Sequence, residues 1–159
     1  MPRLTTITLR SLLVILFLAA VSAQAWFIPQ LARDIAAAEP QLAYLAPGYV
    51  ILWFAVAACA QVALVAVWML LGKVRRGAIF SESSYLWVNA IIGAALLATA
   101  LVAAFEFHLL GIVDAGEPPL GILLSGMVVA GAAFTLVLVV MRGLLRQATQ
   151  LQTELAEVV

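Results

Sequence analysis

The sequence predicts an all-α protein, a four-transmembrane-helix bundle whose fourth span is extended by a cytoplasmic C-terminal amphipathic helix. Three observations carry that prediction. Four apolar runs, residues 11–28, 48–72, 86–107 and 120–141, divide the chain, and each reaches the roughly 18 residues or more that cross a ~30 Å hydrocarbon layer at ~1.5 Å per residue. The chain is 66% hydrophobic and 10% charged, with a mean hydropathy of +1.17, which is more apolar surface than a soluble fold can bury. Its basic residues also fall on alternate connections: Arg3 and Arg10 before the first run, Lys73, Arg75 and Arg76 after the second, Arg142 and Arg146 after the fourth. Only Arg33 falls on the other side. Short connections rich in Lys and Arg stay in the cytoplasm, so both termini and the middle connection are expected there.

The 159 residues make one integral membrane domain. Net charge is zero but separated by side, with Asp34, Glu39, Asp114 and Glu117 on the outer connections. A nucleic-acid-binding surface needs positive charge concentrated on one face, so direct nucleic-acid binding is not expected. Cys59 is the lone cysteine, which excludes an intramolecular disulfide and a cysteine metal motif.

The first run has a rival reading as a secretory signal, because Arg3, Arg10, the apolar residues 12–21 and Ala23-Gln24-Ala25 imitate one with its cleavage site. The apolar character continues through Trp26-Phe27-Ile28 to Pro29, placing two aromatic rings where an outer interfacial belt would sit. A retained span is therefore expected. In the long connection that follows, residues 31–38 suit a short helix on the membrane surface, broken by Pro40 and Pro47. The connection 108–119 carries Gly111, Gly116 and Pro118-Pro119, and a proline pair suits the entry of the fourth helix. Within the bilayer, Ala90, Ala94 and Ala98 on the third helix, and Gly121 with Ser125 and Gly126 with Ala130 on the fourth, let helices approach closely. Packing within the chain accounts for these small residues, and a dimer face is the alternative.

Few polar residues lie in the spans. Gln61 sits near the middle of the second, where its amide needs partners such as Gln24, Asn89 or Thr99. Glu106 is the only acid within the runs. Ionisable groups in membranes often mark ion or proton paths, but twenty residues from Leu86 place Glu106 about 30 Å along the axis, at the outer interface. His108 follows two residues later, and side chains at i and i+2 point to different sides of a helix, so a shared metal ion is not expected. No Gly-x-Ser-x-Gly elbow, phosphate loop or His-Glu-x-x-His run is present. Neither an enzyme nor a cofactor site is expected.

Polar information concentrates on the cytoplasmic side. The connection GKVRRGAIFSESS, residues 72–84, offers Lys73, Arg75 and Arg76 to anionic head groups, each worth ~1 kcal/mol, with Ile79 and Phe80 able to dip into the interface. Beyond the fourth run, Met141, Leu144, Ala148, Leu151, Leu155 and Val158 follow at intervals of 3, 4, 3, 4 and 3, drawing an apolar seam down one side of a helix, with Gln and Glu elsewhere. That seam needs a cover: another protein, a second copy, or the membrane surface. With Arg142 and Arg146 beside it, the seam forms a candidate docking surface.

The segments Arg75-Arg76-Gly77-Ala78-Ile79-Phe80-Ser81 and Leu144-Leu145-Arg146-Gln147-Ala148-Thr149-Gln150-Leu151, continuing through Glu154-Leu155, resemble a bacterial family of small four-helix membrane proteins known as domain of unknown function twenty-nine seventy-five. Its members are often encoded beside a very small helix-turn-helix DNA-binding protein, so the resemblance implies a protein of the bacterial inner membrane that restrains a cytoplasmic regulator. It brings no catalytic residues. The leading expectation is therefore docking of that regulator by the tail and the middle connection. The rivals are a small transporter or channel working through Glu106 and Gln61, and a structural subunit of a larger membrane complex. Topology is directly testable: alkaline phosphatase fused after Lys73 or Val159 should be inactive and fused after Asp114 active, and the reverse pattern would invert the orientation.

Overall fold

The computed structural model describes the backbone of residues 3–75, 82–114 and 118–157, with side chains for 4–73, 85–114, 118–147 and 150. All of the regular structure among these residues is helical: α1 Arg3–Ser22, a π-helical turn Ala23–Phe27, α2 Ile28–Ala38, a 3-10 turn Pro40–Leu45, α3 Ala46–Arg75, α4 Glu82–Glu106, a second π-helical turn Phe107–Ile112, and α5 Pro118–Glu157. Four helical stretches are long and apolar enough to cross a membrane, Leu4–Ala38, Pro40–Lys73, Tyr85–Ile112 and Pro118–Gln147. The protein is a multi-pass integral membrane protein.

The helices run beyond the apolar runs at both ends, and the reasons are local. Pro29 would be expected to end the first span, since proline lacks a donor and crowds the carbonyl four residues back. The chain instead widens before it, and the Ile28 N–H bonds to the Ala23 carbonyl five residues back. The helix then continues as α2, so residues 31–38 are not a separate surface helix. Pro47 is the second residue of α3, where no intrahelical donor is needed. Likewise the third span does not stop at Phe107. It passes through a π-helical turn, with the Val113 N–H bonded to the His108 carbonyl at 3.0 Å, so His108 and Gly111 are helical. The break comes at Asp114, whose φ of 51° lies in the left-handed region that Asp tolerates better than most residues.

Packing follows chain order. α1 and α2 lie against α3, α3 against α4, and α4 against α5; among the described residues α1 makes no substantial contact with α4 or α5. The four helices therefore form an open row rather than sharing one central core. Neighbours are antiparallel: Arg10 stands over Trp68, Tyr49 against Phe105, and Gly131 against Thr99. Both described chain ends thus lie at one end of the row, called here the termini end. The core sits toward the opposite end, where Val102, Phe105 and Leu109 of the third span and Leu124 of α5 are buried, with Tyr49, Leu52, Trp53, Val56 and Val128 packed on them. Tyr49 and Trp53 meet the Phe105 ring edge-on at 4.8 and 5.5 Å, an arrangement worth about 0.5–1.5 kcal/mol per pair beyond area burial.

α5 meets α4 through Gly121, Leu124, Val128, Gly131 and Thr135, its less exposed face. The small residues divide accordingly. Gly121 faces Leu110, whereas Gly126 has nothing near its missing Cβ, so Gly126 and Ala130 do not serve the contact within the chain. The closest approach is at Gly131, where an added Cβ would strike the Thr99 hydroxyl and lie 3.3 Å from the Thr99 Cβ. The Thr99 hydroxyl is held by donation to the Ala95 carbonyl at 2.8 Å. Gly131→Ala should therefore cost about 1–3 kcal/mol in reversible unfolding from detergent micelles. Adding Thr99→Ala should recover most of that loss, and a Gly131→Ala protein as stable as the parent would refute the contact.

Candidate functional site

In hydrocarbon a hydroxyl or amide must find its partner inside the protein, and the hydroxyls here mostly bond their own helix. Thr8 donates to the Leu4 carbonyl at 3.0 Å, Ser22 to Leu18 at 2.9 Å and Thr135 to Gly131 at 2.8 Å. The amides bridge helices. Gln61 Nε2 donates to Gln24 Oε1 at 2.7 Å, and Gln24 Nε2 reaches the Phe54 carbonyl at 3.3 Å. Gln24 lies in the π-helical turn of the first span, so the widened turn that accommodates Pro29 also carries the amide that ties α1 to α3. Of the other partners expected for Gln61, Asn89 is exposed on α4 and the Thr99 hydroxyl is engaged within its own helix.

Glu106 and His108 bond in different directions. Glu106 accepts a hydrogen bond from the Ser125 hydroxyl of α5. The His108 Nδ1 lies 2.9 Å from the Tyr49 hydroxyl of α3, with the rings edge-on at 5.9 Å. The acid thus joins α4 to α5 and the imidazole joins the following turn to α3. Among the described residues, no three His, Cys, Asp or Glu side chains gather at one point. Sequence reasoning missed both partners. Tyr49 opens the apolar run of α3 and reads as an interfacial aromatic, and Ser125 reads as a small packing residue.

At the termini end, Arg10 does more than mark orientation. Its guanidinium carbon stands 5.0 Å from the centre of the Trp68 ring, and its Nε is buried without a hydrogen-bond partner. A cation over an indole face is worth about 0.5–2 kcal/mol, which ties α1 to α3 a second time. An arginine early in one span and a tryptophan late in the next would have signalled the pair.

The candidate docking surface lies on and beyond α5. This helix has 40 residues, about 60 Å at ~1.5 Å per residue, twice the ~30 Å hydrocarbon thickness. The candidate span within it is Pro118–Gln147, and residues 148–157 extend the helix beyond that span. Arg142, Leu144 and Arg146 are exposed, as is Met141. Ala148, Leu151 and Leu155 occupy positions on the described helical backbone, although their side chains are outside the described residues, as is the whole of Val158. Lys73 is half-buried near the end of α3; the Arg75 side chain, Arg76 and Phe80 lie outside the described residues. The structure thus joins Gln24 to Gln61, leaves Asn89 and Glu106 apart from them, and places Arg142, Leu144 and Arg146 on an open helix. A double-mutant cycle with Gln24→Leu and Gln61→Leu, read as unfolding in detergent, should give a coupling of about 0.6 kcal/mol. Zero coupling would mean the two amides are independent.

The family model described as "Protein of unknown function (DUF2975)" matches residues 30–159. No curated protein and no solved structure matches the chain. The match runs from the first turn of α2 to the end of the chain and takes in α3, α4 and α5, so the chain belongs to the DUF2975 family of proteins of unknown function.

Proposed function

We propose that this is a non-enzymatic membrane protein that docks a small cytoplasmic helix-turn-helix DNA-binding protein and holds it at the cytoplasmic membrane. The observation that carries the reading is the length and exposure of α5: a helix twice as long as the bilayer core is thick, with Met141 and Leu144 open at the point where it leaves the lipid. The distribution of Lys and Arg favours a cytoplasmic location for the termini end. There the seam Leu144, Ala148, Leu151, Leu155 and Val158 provides the apolar contact, Arg142 and Arg146 flank it, and Lys73, Arg75, Arg76 and Phe80 on the middle connection keep the site against anionic head groups. The Gln61 amide donates to Gln24, whose own amide donates to the Phe54 carbonyl, so both bond within the protein, which favours docking over a polar transport path.

In this reading the restraint is positional. A regulator bound to this tail stays within a few helical turns of the head groups and is withheld from DNA by position alone. Co-expression with a small helix-turn-helix protein of the kind that members of the family are encoded beside should allow the two to be co-purified in mild detergent. A buried Leu contributes about 1.5–3 kcal/mol, so Leu151→Asp with Leu155→Asp should weaken the complex by more than about tenfold. Undiminished recovery of the regulator with that double variant would refute the proposal.

A further inference from the structure

Extended upward from the tail, the apolar seam does not run onto the face that α5 shows to α4. Counting back by alternate threes and fours from Leu144 and Met141 gives Val137, Phe134, Ala130, Met127 and Leu123, and every one of these is exposed. The face packed on α4, through Leu124, Val128, Gly131, Thr135 and Leu138, lies one residue further on, about 100° round the helix. Both faces keep the same 3.5-residue interval, so a supercoil that follows one holds the other at a fixed angle along the whole helix.

Within the hydrocarbon α5 is apolar all round, and lipid can cover the stripe. Beyond it lipid cannot. By the antiparallel register that sets Thr99 beside Gly131, Glu82 at the start of α4 falls level with Ala148, so the last turns of α5 have no described helix of their own chain beside them. Three features specify what covers the seam. In the membrane, the exposed small residues Gly126, Ala130 and Ala133 lie on or next to the stripe, and the missing Gly126 Cβ has open space around it, which suits close approach of a second helix. In the tail, Gln147 and Gln152 take the flanking positions that face each other across a parallel pair, where two amides can hydrogen-bond without like-charge repulsion. Arg142, Arg146 and Glu157 fall away from the seam, leaving Glu154 as the charge on its flank. Two copies inserted with one topology also present the same stripe at the same depth and in the same direction, as a two-fold interface requires.

We infer that α5 pairs in parallel with the α5 of a second copy along Leu123, Met127, Ala130, Phe134, Val137, Met141, Leu144, Ala148, Leu151 and Leu155. This deepens the docking reading, on which it rests only for the tail being exposed outside the bilayer: without the regulator the second copy covers the seam, and the regulator docks by taking that copy's place along Leu144, Ala148, Leu151 and Leu155. The test uses full-length protein in native membranes lacking the regulator, with Cys59→Ala to remove the native thiol. In that background Leu144→Cys and Leu151→Cys should cross-link into dimers under mild oxidation several-fold more than Arg146→Cys and Thr153→Cys, which point away. Equal cross-linking at all four positions, or none at the first two, would overturn the pairing. Failure here with the regulator still co-purifying removes the pair and leaves docking intact. Cross-linking without regulator recovery does the opposite.

Discussion

The constraint on which the rest of this structure depends is that hydrocarbon offers no hydrogen bonds. Every backbone donor and acceptor in the spans must be satisfied within the chain, so a helix that meets a proline or a turn residue is under pressure to continue. The two π-helical turns are the visible result. Each shifts hydrogen bonding from four residues to five, keeping the ladder nearly whole at a small geometric cost. The same pressure draws Thr8, Ser22, Thr99 and Thr135 onto carbonyls of their own helices and sends the longer Gln24, Gln61 and Glu106 side chains across to neighbours.

An open row of antiparallel helices is a consequence of how little the chain has with which to close a bundle. The polar ties described above join neighbours in order: Arg10 to Trp68 and Gln24 to Gln61 join the first two spans, Tyr49 to His108 the next pair, and Glu106 to Ser125 the last. Hydrophobicity cannot draw α1 toward α5, because lipid covers both equally well. What holds each contact is close packing, seen at Gly131 on Thr99 and around Phe105.

Much of this was legible in the residues. The four spans follow from apolar run length, and the Gln24–Gln61 bond from the scarcity of amide partners in a lipid-embedded chain. The extent of the helices was not legible, because Pro29 and Gly111 signal breaks in water, where an interrupted backbone is solvated. In lipid that signal is overridden. The open row was also hidden: small residues at four-residue spacing say that something approaches, and nothing in Gly121, Gly126 or Gly131 says which of them faces α4. The partners of Glu106 and His108 were missed because Ser125 and Tyr49 each have an ordinary role that conceals a polar one.

α5 runs from Pro118 to Glu157 without a proline beyond its first turn, and Gly143 is its one weak point outside the apolar run. A continuous helix is stiff to twisting about its own axis. If α5 rolls against α4 inside the bilayer, the far end of the helix turns by the same angle. Rotation imposed at one end of α5 is thereby delivered to the other as torsion, along a rod with no proline hinge.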